Sequence, residues 1–307
     1  MVSQTFAQES KPVDLTALKH PLKPLLWKIE GKGLAQPSYL FGTIHLTDER
    51  VTTLHPLAQK AFEDAAEVYT ESDQAGREPT PEKRAARKAL FQWGDANPLA
   101  ERAGKELVER LDVELKFLKT EYDAEALRKN KLWSLAHEIP MLPLTLKDKR
   151  PHLDKLLWQR AHEAGKKTFG LEDSIERVRG LDALPLDQQR KMLEISVEMV
   201  RDAREKGVHV FQRMLDAYLL GDVATISNFV TEDRFIGREI DPAIGKKLAK
   251  IMLHDRNEKM AVVIGKALDR PKSVCCFFAM GSAHCVGEKR VADYLEKAGY
   301  KVTRVIP

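Results

Sequence analysis

The chain has 307 residues, enough to bury a substantial core as one large domain or two ordinary ones. Hydrophobic residues make up 43% and charged residues 31%, with modest glycine and proline, which fits a folded, helix-rich globular protein and excludes disordered and fibrous classes. The 50 basic and 46 acidic residues leave a formal net charge of +4, mixed along the chain without an arginine-rich arm, so nothing points to nucleic acid. No apolar run approaches the roughly 20 residues that cross a bilayer, so no membrane-spanning helix is expected.

Residues 1–20 read as a flexible N-terminal segment, and 21–307 as a single domain. Met1 to Lys19 lacks the apolar core of a signal peptide, while SQTFAQESKPVDL has the polar character of a mature secreted protein's start behind an added Met-Val. An extracytoplasmic location, secreted or periplasmic, is therefore expected, with a cytosolic start left open. The first ordered elements are two strands, LLWKIEG from Leu25 to Gly31 and SYLFGTIH from Ser38 to His45, joined as a hairpin by a turn containing Gly and Pro. A helix follows near Pro56 to Ala66, with Leu57, Ala58, Ala61 and Phe62 at helical spacing, and then a short strand from Glu67 to Glu71.

From about residue 80 to 268 helical periodicity dominates, clearest in ARKALFQW, ELVERLDVELKFLK, LDKLLWQRAHEAG, DQQRKMLEISVEMVRDAREKG and HVFQRMLDAYLLGD. This large helical insert is interrupted at 167–171, where KTFGLE reads as a short strand breaking into a helix N-terminus at Glu172 or Asp173. The last forty residues repeat the opening grammar: an apolar run from Ser273 to Met280, then Gly281-Ser282-Ala283-His284, a helix from about Gly287 to Ala298, and a final strand YKVTRVI. The fold expected is α/β, a central mixed sheet built from two related halves, each with a Gly-x-x-His motif, flanked by helices and carrying the helical insert.

In both halves a strand runs into a glycine, Gly42 or Gly281, two residues intervene, and a histidine, His45 or His284, stands at the strand's end. Open sheets place sites beyond the carboxyl ends of their strands, and glycine allows close approach of a bound group. A single histidine after a strand is ordinarily a hydrogen-bonded structural residue; two in matching settings point to one shared metal or water. Glu71 ends its strand as His45 ends its own, so adjacent strands ending together would bring Glu71 to His45 as ligand or general base, the alternative being a solvated strand-end charge. Glu172 is a second candidate, with a helix-dipole role as the alternative. Arg256, beside Asn257 on a helix leading into the last apolar strand, could hold a substrate carboxylate or stabilise an oxyanion, although a surface salt bridge accounts for it as simply.

The remaining histidines, His20, His55, His137, His152, His162, His209 and His254, share no pattern and are expected to be structural or exposed. No HExxH, GxSxG, P-loop or GxGxxG motif is present. The three cysteines, Cys275, Cys276 and Cys285, make an odd set in one segment, against a disulfide framework. Cys276 lies in an apolar strand and Cys285 next to His284, which leaves only the latter open as a reactive thiol.

Five separated stretches in order, YLFGTIHLTDERVTTLHP, KTFGLEDSIERV, LLGDVATI, HDRNEKMAVVI and FFAMGSAHCVGEKRVADYLEKAGYKVTRV, closely resemble the TraB/GumN family, and the likeness runs from Trp27 to the C-terminus. That family includes bacterial pheromone-shutdown proteins and resembles the Tiki proteases, which use manganese or cobalt; its wider superfamily includes erythromycin esterases and ChaN haem-binding proteins. The resemblance implies a mixed sheet, the two motifs Gly42 to His45 and Gly281 to His284, and an acidic partner at Glu71. It also matches Glu172 to a Gly-Leu-Glu element and Arg256-Asn257 to an Arg-Asn pair. Cys285 departs from the leucine more usual there, which could alter metal preference or redox sensitivity.

The function expected is a metal-dependent hydrolase of metallopeptidase type, acting on a peptide or small molecule. His45, His284 and Glu71 or Glu172 would hold a divalent ion, manganese, cobalt or zinc, with the other glutamate as general base. The alternatives are a haem- or metal-binding protein of the ChaN type without turnover, and a metal-independent esterase of the erythromycin-esterase type.

Overall fold

The turn between the first two strands shows how local chemistry starts the sheet. Gly31 (φ +90°) and Gly33 (φ +77°) occupy the left-handed region that residues with a Cβ avoid, and this reverses the chain between β1 (Leu26–Gly31) and β2 (Ser38–Thr43). The two strands pair antiparallel, from Leu26 opposite Phe41 to Ile29 opposite Ser38. The computed structural model describes residues 13–72, 80–94, 98–120, 123–145, 150–173 and 175–307. Residues 1–12 of the N-terminal segment expected to be flexible therefore lie outside the described residues, as do parts of the helical insert at 95–97, 121–122, 146–149 and 174.

The other strands are β3 (Glu67–Ser72), β4 (Lys167–Glu172), the two-residue pair β5 (Arg234–Phe235) and β6 (Arg238–Glu239), β7 (Cys276–Gly281) and β8 (Tyr300–Val305). Six of them form one mixed sheet in the order β4-β3-β7-β2-β1-β8. Strand β1 runs antiparallel to both β2 and β8, whereas β2, β7, β3 and β4 are mutually parallel neighbours. The apolar run of the last forty residues thus becomes a central strand: a parallel strand covered on both faces needs apolar side chains throughout, and Cys276 to Met280 are all fully buried. Phe277 packs against Phe41 at 5.3 Å and Phe62 at 5.5 Å between ring centroids, and burying such a ring contributes about 1.5–3 kcal/mol.

The expected adjacency of the second and third strands is corrected here, because β7 lies between β2 and β3. The helix Pro56–Asp64 links β2 to β3, with proline in its first turn and the His55 ring accepting the Leu57 N–H as its cap. It buries Ala58, Ala61 and Phe62 in the main core. The helix Leu153–Glu163 precedes β4 and packs on β3 and β4 with Leu153, Leu157 and Ala161.

Helices between 81 and 268 supply a second hydrophobic cluster, centred on the 21-residue helix Leu186–Lys206 and on Trp133. The periodicity predicted these helices, but not the β5–β6 pair, whose strands are too short to show alternation. A helix N-terminus at Glu172 or Asp173 is also corrected: Glu172 completes β4, and the helix begins at Glu176, with Asp173 accepting the N–H groups of Ile175 and Glu176. The chain returns to the sheet through the helix Pro242–Ala249, a π-helical turn at Lys250–His254 and the helix Asp255–Leu268, which packs on β4.

Candidate metal centre

The four parallel strands end on one edge of the sheet, and their ends carry the residues singled out from the sequence. Beyond β2, Thr43 and His45 both reach Asp154, in the first turn of the helix Leu153–Glu163. Thr43 Oγ1 donates to Asp154 Oδ1 at 2.7 Å, and His45 Nδ1 lies 3.0 Å from Asp154 Oδ2. Burial alone would push the Asp154 carboxyl up, but positive charge on His45, the nearby His152 ring and the hydrogen bond from His45 outweigh it, holding this acid well below the usual carboxylate range. An ionised carboxylate only accepts, so Nδ1 carries a proton in either charge state of His45, and once the ring is neutral its lone pair is on Nε2. That nitrogen is 3.8 Å from Glu71 Oε2, and the ring is half exposed, which opens the site to solvent.

Beyond β7, Ser282–His284 make a single 3-10 turn that carries the almost fully buried His284. Its Nδ1 lies 2.6 Å from Asn257 Oδ1, while Asn257 Nδ2 donates to the Lys289 carbonyl at 2.8 Å. Because the Asn257 NH2 group serves a carbonyl, its oxygen faces the ring, and His284 donates from Nδ1 with its Nε2 lone pair directed elsewhere. The two imidazoles therefore share a tautomer, set in one case by a buried anion and in the other by a buried amide.

Glu71, at the end of β3, joins the two halves. The Gly281 N–H donates to Glu71 Oε2 at 3.0 Å, and Arg256 Nη2 donates to Glu71 Oε1 at 2.5 Å. Arg256 also forks onto Glu172 at 2.6 Å and 3.0 Å, and its Nη1 donates to the Met252 carbonyl within the π-helical turn at 2.7 Å. Burial would lower the Arg256 pKa, but Glu71 and Glu172 raise it, so the guanidinium is a fixed cation between two carboxylates. π-turns widen a helix locally, and here the turn sets Arg256 and Asn257 facing the strand ends.

Gly281 explains the space among these groups. A Cβ there would stand 3.2 Å from Glu71 Oε2, 3.6 Å from His284 Cδ2 and 3.9 Å from His45 Nε2. The missing side chain leaves a cradle bordered by one carboxylate and two imidazoles. Two imidazoles with Nδ1 tied back, plus one carboxylate, are the donor types that borderline divalent cations take once the rings are neutral, so the residue types present suit such an ion. Gly42 does something different: a Cβ there would meet Leu25 Cβ at 3.1 Å and Ser282 Cα at 3.2 Å, so this glycine lets the two motif backbones pack together.

The structure thus brings His45, His284, Glu71, Glu172, Arg256 and Asn257 together at one sheet edge. Asp154 escaped the sequence reading, and His152 was expected to be structural or exposed, with no part in the site. His152 stands edge-on to His45 with ring centroids 5.5 Å apart, and its Nδ1 is 3.5 Å from Asp154 Oδ2, close enough for charge attraction without hydrogen-bond geometry. Among the described residues, the group of three whose candidate ligand atoms all lie within 4.8 Å of one another is His45, His152 and Asp154, on the Nδ1 side of the His45 ring. The signal that could have found them is the pair His152-x-Asp154 at the start of LDKLLWQRAHEAG. Cys285, by contrast, is fully buried in the core with its thiol pushed up by that burial, and Cys276 is pushed up to about 12 by burial and Glu67.

A mixed α/β sheet whose parallel strands gather two histidines and a carboxylate around a glycine cradle defines a protein with a candidate divalent-cation centre. The model of the TraB/PrgY/gumN family matches residues 25–304, and the chain belongs to that family. It is 25% identical to Metalloprotease TIKI2 of Danio rerio, covering 98% of this chain and 64% of that protein. It is 26% identical to Metalloprotease TIKI2 of Xenopus tropicalis, over 95% of this chain and 62% of that one. Identity to Metalloprotease TIKI1 of Homo sapiens is 23%, over 94% of this chain and 63% of that one. The chain therefore spans less than two thirds of the length of these relatives. No solved structure matches it. No helix among the described residues is long and apolar enough to cross a membrane.

Proposed function

We propose that this protein is a divalent-cation-dependent hydrolase of metallopeptidase type, with the cation held by His45, His284 and Glu71. The observation that carries the reading is that Glu71 Oε2, His45 Nε2 and the Cδ2 edge of His284, next to its Nε2, all face the position of the missing Gly281 side chain, with both rings tied back at Nδ1. The metalloprotease names of the relatives support a peptide as the substrate class.

A bound divalent cation supplies Lewis acidity to a carbonyl and lowers the pKa of a water, which favours attack on an amide at neutral pH. The chain's own groups do the rest. Glu71 turns Oε2 toward the histidines, where it serves the cation or takes a proton from water, because Arg256 holds its other oxygen. Glu172 acts through Arg256, since both of its oxygens accept from that guanidinium. The contacts of Arg256 and Asn257 support positioning roles: Arg256 orients Glu71, and Asn257, almost fully buried, orients His284.

The test is cleavage of a peptide library by chelator-stripped protein, read by mass spectrometry before and after adding Mn2+, Co2+ or Zn2+, together with elemental analysis of the purified protein. Cation-restored cleavage that is lost in His45→Ala and His284→Ala supports the reading. Cleavage indifferent to chelation supports a metal-independent esterase-like site, and a Soret band on haem titration without turnover supports a binding protein. Glu71→Gln separates the two uses of that carboxylate: weakened cation affinity marks a ligand, and retained affinity with slowed turnover marks a base.

A further inference from the structure

We propose that Asp154 is a positioning residue that holds His45 in the Nδ1–H tautomer, turning Nε2 toward Glu71 and so raising the affinity of the site for a divalent cation; the second half of this statement rests on the function proposed above. The case begins with exposure. The His284 ring is walled in by the core and held by Asn257, but the His45 side chain is 46% exposed. An exposed imidazole samples several rotamers and both neutral tautomers, and each wrong choice removes the lone pair from the cradle.

Asp154 restricts both choices. Its carboxylate is buried and stands 3.0 Å from His45 Nδ1 through Oδ2, and it is itself held by Thr43 Oγ1, which donates to Oδ1 at 2.7 Å. Thr43 and His45 belong to the same Gly-x-x-His segment, so one stretch of chain both presents the ring and orients the acid that aligns it. The acid sits in the first turn of a helix that packs against the sheet, where the helix dipole favours an anion. A carboxylate behind a ligating imidazole also makes it a stronger donor, and losing such a partner typically costs about 10- to 100-fold in cation affinity.

The experiment uses the full chain labelled with 15N at histidine. In chelator-stripped wild type, long-range 1H–15N spectra are expected to show His45 with its proton on Nδ1. In Asp154→Leu, which offers no acceptor, the proton moves predominantly to Nε2, and Mn2+ affinity measured by electron paramagnetic resonance falls by about 10- to 100-fold. Asp154→Asn keeps the shape and one acceptor, so the Nδ1 proton stays and affinity falls by less, about threefold to tenfold. A folded Asp154→Leu protein that keeps the proton on Nδ1 overturns the proposal. If that variant does not fold, Asp154→Asn with the Mn2+ affinity of wild type overturns it instead. A wild type that binds no Mn2+ defeats the proposed function alone, because the tautomer spectra still decide what Asp154 does to His45.

Discussion

The backbone N–H of Gly281 donates to Glu71 Oε2 at 3.0 Å across 210 positions of sequence, tying the end of β7 to the end of β3 at the point where two histidines converge. Gly281→Ala would keep that N–H but place a methyl 3.2 Å from the same oxygen and 3.9 Å from His45 Nε2. The carboxylate must then shift and the cradle fills. Mn2+ affinity is expected to fall at least about tenfold with little change in thermal unfolding, since the added methyl faces the site and not the core. Gly42→Ala provides the contrast: its methyl meets Leu25 and the Ser282 backbone, so urea denaturation should show a loss of about 1–3 kcal/mol.

Arg256 pairs with both Glu71 and Glu172, and all three side chains are largely buried. Arg256→Met would leave two buried carboxylates facing each other without their shared partner. Removing one member of such a group costs about 3–5 kcal/mol, measurable from the urea midpoint. Adding Glu172→Gln removes one of the stranded charges and should recover part of that loss; a double variant no more stable than Arg256→Met would contradict this account.

Acid sensitivity follows from Asp154. Its folded pKa lies below the ordinary carboxylate value of about 3.9, so its contribution to stability is fully present above that value and is lost as pH falls through it toward the folded value. Wild type should therefore outlast Asp154→Asn in urea at pH 7 and pH 5 by a similar margin, and the margin should shrink between pH 4 and pH 2. A margin that stays constant over the whole range would show that the ionised form of Asp154 is not what the fold favours.

The cysteines should be silent in the native protein. Burial pushes Cys275 up to about 11 and Cys276 up to about 12, and raises Cys285 still more, so each stays a protonated thiol at neutral pH. A thiol reagent such as 5,5′-dithiobis-(2-nitrobenzoic acid) is expected to modify none of them within minutes at pH 7.5, and all three after denaturation. Fast labelling of Cys285 would restore the reactive role that its place beside His284 suggested.

Much of the fold was legible along the chain. Two strand-like segments, LLWKIEG and SYLFGTIH, around a turn with Gly and Pro announced the hairpin, an apolar run announced the strand that proves central, and helical spacing announced Leu186–Lys206 and Val210–Leu220. The expected site residues were also readable, because a strand leading into Gly-x-x-His is a local pattern. Asp154 was not, since an acid in the first turn of an amphipathic helix looks like ordinary dipole compensation until its partner 109 positions away is in view. The pairing of Asn257 with His284 and the fork of Arg256 onto Glu172 were hidden for the same reason.

By itself, then, the sequence determined which segments extend, which coil and that each imidazole comes with the end of a strand, because backbone hydrogen bonding and side-chain periodicity act over a few residues. The tertiary structure decided that β7 enters between β2 and β3, that Gly281 rather than Gly42 borders the cradle, and which nitrogen of each ring carries its proton. Those choices depend on partners drawn from distant helices and strands, and a hydrogen bond between distant residues exists only once the chain has folded.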